Sequence, residues 1–151
     1  EPWIPLHRDG ESDSDLFERQ LEMTLVGESK GTAWRRIAVL DDGRIAGAVN
    51  LNAISRGLSW EADAGWWISA DQAQRGLGME AVGAMTAFAL LDLPAGLGLH
   101  AIKAAIMPGT TASIRLAAAL GFRRSAGPSV SIRLRGDWEL HDVYVRTLMD
   151  A

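Results

Sequence analysis

The sequence has no cysteine among its 151 residues. Disulfide bonds, thiolate metal ligands and a catalytic cysteine are therefore excluded. Because proteins without disulfides are typical of reducing compartments, we expect a cytoplasmic protein. The three histidines, His7, His100 and His141, lie far apart, without the spacing of paired ligands on one helix, so we expect no metal site.

Long apolar runs and an excess of positive charge are also lacking. The apolar segment at 81–91 stops at Asp92, short of the roughly 18 residues that a membrane helix needs. A net charge of −4 argues against nucleic-acid binding by neutralisation of phosphates. The chain is 48% apolar and 23% charged, as is typical of a globular domain. With no repeat or linker, we expect one domain over 1–151, and neither nucleic acid nor membrane as a partner.

Periodicity and turn signals predict a mixed α/β fold in the order helix, three antiparallel strands, helix, strand, helix and two or three strands. Asp15 and Glu18 have capping-box spacing at the first helix, and Asp42-Gly43 is a hairpin turn. Gly121 is expected to cap the last helix. The predicted helices cover 15–26, 77–91 and 112–121, and the predicted strands lie within 33–55, 58–69, 99–106, 130–135 and 138–149.

A glycine pair, Gly76 and Gly78, lies in the loop QAQRGLGMEA directly before the second helix. Such a loop can bring backbone N–H groups to a phosphate, or it can be only a tight turn. It formally fits the dinucleotide-binding fingerprint, which needs a strand running directly into the first glycine and an acid about 20 residues later. Here polar residues precede Gly76 and the next strand ends in AAIMPG. A Rossmann-type dinucleotide-binding oxidoreductase is therefore the less favoured alternative.

Six segments follow one another along the chain: Gly65 to Ile68, Gly76 to Ala81, Leu97 to Ile102, Pro108 to Arg115, Leu120 to Phe122 and Gly136 to Tyr144. In these segments the sequence resembles the GNAT superfamily of N-acetyltransferases. The resemblance is strongest to the branch of RimJ/RimL-type ribosomal-protein N-terminal acetyltransferases.

This resemblance implies a mixed, mostly antiparallel sheet with helices on both faces. Two central parallel strands, 60–69 and 99–106, are expected to splay apart. It also implies acetyl-CoA as the cofactor and direct attack by a primary amine in a ternary complex, the acceptor being a protein N-terminus or a small amine. A homodimer is compatible with it. The family has a further strand and helix before the region where this sequence begins, so we expect the chain to lack them.

The resemblance further implies a coenzyme A site. The pyrophosphate would lie at the second helix, where Gly76 and Gly78 allow close approach and Arg75 adds charge. Backbone N–H groups near Trp67 and Ile68 would bind pantetheine and polarise the thioester carbonyl. The expected cofactor-binding residues are Trp67, Ile68, Ser69, Gln74, Arg75, Gly76, Leu77, Gly78, Met79, Thr110 and Ser113.

Three residues are expected to be catalytic. The resemblance places Ser113 where it would support the leaving thiolate, and Asp63, then Glu61, are the expected bases for the attacking amine. Strand alternation places both acids on one side together with Trp67. The alternatives are that Ser113 and Thr111 only cap the third helix, and that the acids belong to a solvated or salt-bridged strand face.

The sequence departs from the family pattern at three places. Ala73 and Thr110 stand where the family usually has Gln or Arg and Asn, and the segment VSIRLR lacks the RimL-type acid. A non-catalytic acyl-CoA-binding or sensing module is therefore an alternative function.

Overall fold

The computed structural model describes residues 7–134 and 136–150. Three α-helices and seven strands follow one another there. They are α1 (Asp13–Ser29), β1 (Trp34–Val39), β2 (Ile45–Arg56), β3 (Trp60–Ile68), α2 (Leu77–Leu90), β4 (Ala101–Ile106), α3 (Thr111–Ala119), β5 (Arg123–Arg124), β6 (Val130–Leu134) and β7 (Asp137–Thr147), with a final 3₁₀ turn at Leu148–Asp150. No helix among these described residues is both long and apolar enough to cross a membrane.

The strands form one mixed sheet in the order β1-β2-β3-β4-β7-β5, with β6 beside β7. Only the β3–β4 pair is parallel among the described strands. The predicted fold class is therefore confirmed. The Rossmann alternative fails, since that fold needs a mostly parallel sheet.

The β1–β2 hairpin forms at the predicted turn. Gly43 has φ +84°, and its N–H donates to the Leu40 carbonyl at 2.8 Å. The Arg44 N–H donates to the Asp42 carboxylate at 3.1 Å. The turn residues thus supply both the left-handed conformation and the side-chain acceptor that close the hairpin.

Helix α1 begins earlier than predicted. Its capping box is formed by Ser12 and Asp15, and the pairing of Asp15 with Glu18 was wrong. Ser12 has the extended backbone of an N-cap residue, so Asp15 occupies the third helical position, where its carboxylate accepts from the Ser12 N–H at 3.0 Å. No residue of α1 is buried, and Leu21 and Leu25 are both exposed.

The core lies between one face of the sheet and helices α2 and α3, and we call this side the core face. Leu51 of β2, Ile102 of β4 and Met85 of α2 are fully buried there. Gly121, with φ +84°, follows the last turn of α3 as predicted.

Helix α1 lies on the opposite side, which we call the open face. Arg35 of β1 donates to the Thr24 hydroxyl of α1 at 2.9 Å and to the Asn52 side chain at 3.0 Å. The expectation of helices on both faces is therefore confirmed.

Candidate active site

Strands β3 and β4 are paired over only three residue pairs, Glu61–Ala101, Ala62–Ile102 and Asp63–Lys103. Beyond them, β3 continues against β2 and β4 continues against β7. The outer neighbours keep both strands in the sheet while the two separate from each other. This is the splayed parallel pair that the resemblance implied.

A cavity of about 270 Å³ lies where the strands separate. It is lined by 64–66 of β3, 104–107 of β4, Thr110, Ser113 and His141. Most of this lining is apolar, so the few polar groups stand out as those that can orient a ligand.

Backbone groups of β3 face the gap between the strands. The Ser69 N–H donates to the Ala46 carbonyl at 2.8 Å, so odd-numbered residues of β3 are hydrogen-bonded to β2 and even-numbered ones point toward β4. The N–H groups of Trp66 and Ile68 therefore lie at the gap, whereas Trp67 is paired with Ala48. The resemblance implied backbone N–H groups near Trp67 and Ile68 at this place. In the structure, the N–H groups that face the gap are those of Ile68 and Trp66.

The loop from β3 to α2 is folded by short-range hydrogen bonds. The N–H groups of Gln72 and Ala73 both donate to the Ser69 carbonyl, at 3.0 and 2.9 Å. Gln74 and Gly76 adopt positive φ angles of 68° and 82°. The chain can therefore reverse direction and deliver α2 close to the end of β3.

The first turn of α2 presents unpaired backbone donors. Gly76 is the N-cap and gives no side-chain cap, and the first helical bond runs from Glu80 to Gly76 at 3.0 Å. The N–H groups of Leu77, Gly78 and Met79 consequently have no acceptor within the helix. Such a helix N-terminus favours an anion.

The two glycines of the loop differ in their surroundings. A Cβ at Gly76 would meet nothing within 4 Å, whereas one at Gly78 would lie 3.2 Å from Leu116 Cδ2 and 3.8 Å from Ile68 Cγ1. Gly78 therefore also lets α2 pack closely against α3 and β3.

Ser113 and Thr110 lie beside the cavity at the start of α3. The N-cap Thr110 makes no side-chain cap hydrogen bond, and the Thr111 hydroxyl donates to the Gly109 carbonyl at 3.3 Å. Among the described residues, the Ser113 hydroxyl accepts no capping hydrogen bond from a backbone N–H of α3. Its place in the cavity lining supports a role toward a ligand.

Glu61 and Asp63 lie on the open face, together with Trp67, as alternation predicted. Neither carboxylate lines the cavity, because both residues belong to the part of β3 that is still paired with β4. Glu61 accepts a hydrogen bond from Lys103 Nζ at 2.7 Å. Asp63 is exposed to solvent. The surrounding sheet nevertheless desolvates its carboxyl and raises the pKa of that group, and the positive charge of Lys103 opposes this shift.

His141 is a cavity residue that the sequence expectations missed. It is only 1% exposed and lies on β7, where a lone histidine in a strand pattern carries no functional signal. His141 lies within the Gly136 to Tyr144 segment of the resemblance, which implies no role for it. Within residues 7–134 and 136–150, no group of three His, Asp or Glu residues could hold a metal ion.

The described residues fit coenzyme A. The amides at the start of α2 suit its pyrophosphate, and the unpaired amides of β3 suit the extended pantetheine arm. The gap between β3 and β4 gives that arm a path to the cavity. These features define an acyl-CoA-binding transferase domain of the GNAT type.

Comparison with family models supports the same class. The model described as acetyltransferase (GNAT) domain matches residues 1–123, and the chain belongs to this family. A curated relative, the probable N-acetyltransferase YjcK of Bacillus subtilis (strain 168), is 30% identical over 107 residues. The match covers 71% of this chain and 57% of that protein, so the chain spans little more than half of its length.

Solved structures share the fold. The ribosomal-protein-S5-alanine acetyltransferase from Vibrio fischeri superposes with a TM-score of 0.81 at 21% identity, over 97% of this chain and 78% of that one. RimJ of Mycobacterium smegmatis, in complex with CoA-disulfide, gives 0.81 at 19% identity, over 99% and 70%. Spermidine N-acetyltransferase from Vibrio cholerae, with CoA and spermine, gives 0.74 at 14% identity, over 95% and 80%.

The predicted family is thus confirmed, and the predicted likeness to RimJ-type enzymes is confirmed in the fold. Acetyl-CoA, the predicted cofactor, is the acetyl donor that GNAT acetyltransferases use.

Proposed function

We propose that the protein is an acetyl-CoA-dependent N-acetyltransferase that acts on a primary amine by direct attack in a ternary complex. The separation of β3 and β4 over a cavity lined by Ser113 carries this proposal. It gives an acyl thioester access from one side of the sheet and leaves the other side for an acceptor.

The cofactor is held at two places in this proposal. The N–H groups of Leu77, Gly78 and Met79 bind the pyrophosphate, and Arg75, an exposed residue directly before Gly76, adds a charge-assisted contact. Gln74 and Gly76 shape the loop so that the phosphates reach those amides. Pantetheine lies along the end of β3, near Trp67, Ile68 and Ser69, where it meets the gap-facing amides of Trp66 and Ile68, and it reaches Thr110 at the cavity.

The chemical roles follow from the cavity lining. When bound, acetyl-CoA supplies an acetyl thioester with a polarisable carbonyl and a thiolate leaving group. The Ile68 and Trp66 amides lie at the gap and can donate to an oxygen that gains negative charge. The Ser113 hydroxyl supports the sulfur, and Asp63 or Glu61 accepts a proton from the acceptor through water.

The acceptor class is open between a protein N-terminus and a small amine. The relatives include a ribosomal-protein acetyltransferase and a spermidine acetyltransferase. The open face carries the exposed carboxylate of Asp63, which suits a positively charged amine of either kind.

An acetyl-transfer screen tests the proposal. The full chain is mixed with acetyl-CoA and either N-terminal peptides or small amines, and release of the free thiol is followed. In parallel, calorimetry measures binding of acetyl-CoA and, as a control, of NAD(P). We expect acetyl-CoA binding and turnover with one acceptor class. Binding without turnover would indicate a non-catalytic acyl-CoA module, and no binding would refute the proposal.

A further inference from the structure

One polar atom in the cavity has no use in the roles above, namely Nε2 of His141. The ring is 1% exposed, and Nε2 is buried without a hydrogen-bond partner. His141 lines the same cavity as Ser113. A buried nitrogen without a partner carries a desolvation cost, so it calls for a ligand or a function.

The other ring nitrogen determines what Nε2 can do. Nδ1 lies 3.0 Å from the Glu139 carbonyl oxygen. A carbonyl oxygen can only accept, so Nδ1 carries the hydrogen and donates it. In the neutral ring Nε2 then holds a lone pair. Nε2 is therefore a hydrogen-bond acceptor in the cavity that can take a proton.

The position of His141 in the sheet places Nε2 on the side of the sheet that the proposed function leaves to the amine substrate. Strand β7 pairs with β4 through Val145–Lys103 and Val143–Ala105. Because side chains alternate along a strand, His141 shares the face of Val143, Val145 and Lys103, which is the open face. Helices α2 and α3 lie on the other face.

We propose that His141 Nε2 is the base that takes the proton of the attacking amine, an inference that rests on the proposed function. In acetyl transfer a C–N bond forms and a C–S bond breaks, so the nitrogen loses one proton and the sulfur gains one. Nε2 accepts the first proton as the C–N bond forms, while Nδ1–H stays bonded to Glu139 and stabilises the imidazolium. The imidazolium returns its proton to solvent and the thiolate takes one from solvent, so the protons balance.

This assignment replaces Asp63 or Glu61, the base both expected from the sequence and used in the proposed function, and leaves the other roles of that proposal unchanged. Glu61 is engaged by Lys103 at 2.7 Å, and neither Glu61 nor Asp63 lines the cavity. Either carboxylate would need water to reach an amine there. His141 belongs to the cavity lining itself, on the same side of the sheet.

The variant His141→Asn separates the two ring nitrogens. The Asn amide can replace Nδ1–H as the donor to Glu139, but nothing replaces Nε2. We expect kcat to fall by about 100-fold or more, with the acetyl-CoA Kd and the melting temperature close to wild type. The matched control is His100→Asn, since that side chain is exposed, and its kcat should not change.

The outcomes distinguish the two proposals. If wild type transfers acetyl and His141→Asn is equally active, the role of His141 is overturned and the proposed function stands. If wild type transfers no acetyl group to any amine of the screen, both are overturned.

A measurement on the wild-type protein keeps the role testable should the variant not fold. In protein with ¹⁵N-labelled histidine, we expect the His141 ring to be in the Nδ1–H tautomer. Its Nε2 resonance should move when coenzyme A and the amine selected by the screen are added together, while the His100 ring should not respond. An Nε2–H tautomer, or an Nε2 that ignores both ligands, would overturn the assignment.

Discussion

The Ser113 hydroxyl lies in the cavity lining, and the neighbouring Thr111 hydroxyl is bonded to the Gly109 carbonyl instead. We expect Ser113→Ala to lower kcat by on the order of 10-fold, since a donor to the leaving sulfur is lost, with little change in acetyl-CoA affinity. Steady-state kinetics and calorimetry measure both. Thr111→Ala is the matched control and should keep kcat within about twofold of wild type. Equal losses in both variants, together with lower melting temperatures, would favour the capping alternative.

The Asp63 carboxyl should destabilise the fold when it ionises. Burial raises its pKa above the ordinary value of 3.8, so the folded state holds this proton more tightly than the unfolded state. The stabilisation from the protonated form is complete below the unfolded pKa and is lost as pH rises through the folded pKa. We therefore expect Asp63→Asn to gain unfolding free energy relative to wild type at pH 7 but not at pH 3.

Asp42 provides a control of opposite sign. Hydrogen bonds from the Arg44 backbone and side chain lower the pKa of the Asp42 carboxyl. Its stabilisation is present above the unfolded pKa and is lost as pH falls through the folded pKa. Urea unfolding at pH 3 and 7 should therefore show that Asp42→Asn loses stability at pH 7. A shift of the same sign in both variants would contradict these assignments.

Among the elements, the start of α2 can be tested with a matched pair of glycines. Gly76 and Gly43 have nearly the same φ, +82° and +84°, and a Cβ at either would meet nothing within 4 Å. Alanine at each position should cost about 1–2 kcal/mol of unfolding free energy, because the left-handed conformation is unfavourable for it. Gly76→Ala alone should also weaken acetyl-CoA binding about tenfold or more, since its methyl group lies beside the unpaired amides. Equal acetyl-CoA affinity in the two variants would contradict a pyrophosphate site here.

The elements that the sequence predicted well are those with strong local signals. The Asp42-Gly43 turn needs only its own residues, and α2 is a long, mostly apolar segment whose buried residues include Val82, Met85 and Ala89. The start of α1 was missed because the pair Ser12 and Asp15 and the pair Asp15 and Glu18 both have the spacing of a capping box. The extended backbone of Ser12 identifies Ser12 as the N-cap residue.

The candidate site was less predictable because it depends on pairing between distant strands. Only the register with β2 and β4 shows that the amides of Trp66 and Ile68 face the gap and that of Trp67 does not. The importance of His141 likewise arises from a carbonyl that fixes its tautomer and from a cavity built by three other elements. Neither property is a feature of the residues near it in sequence.

In the whole molecule, the gap depends on the neighbours that hold its two strands apart. β3 is kept in place by β2, and β4 by β7, while α2 and α3 cover the core face. The β3–α2–β4 crossover joins the two sides of the gap. A loss of core packing beneath the gap should therefore lower the free energy of unfolding. Where the fold survives, the polar groups of the site should stay in place.

Leu51 tests this separation of fold and site. It is fully buried on β2, opposite Ala64 of β3, and Leu51→Ala should cost about 2–5 kcal/mol of unfolding free energy. Acetyl-CoA at about 100 times its Kd should restore about 2.7 kcal/mol, as it would add to wild type. Leu58 is the control, because its side chain is fully exposed, and Leu58→Ala should change stability by less than about 0.5 kcal/mol. Urea unfolding with and without acetyl-CoA measures each value, and a much smaller ligand effect in Leu51→Ala would show that core packing and the coenzyme A site are coupled.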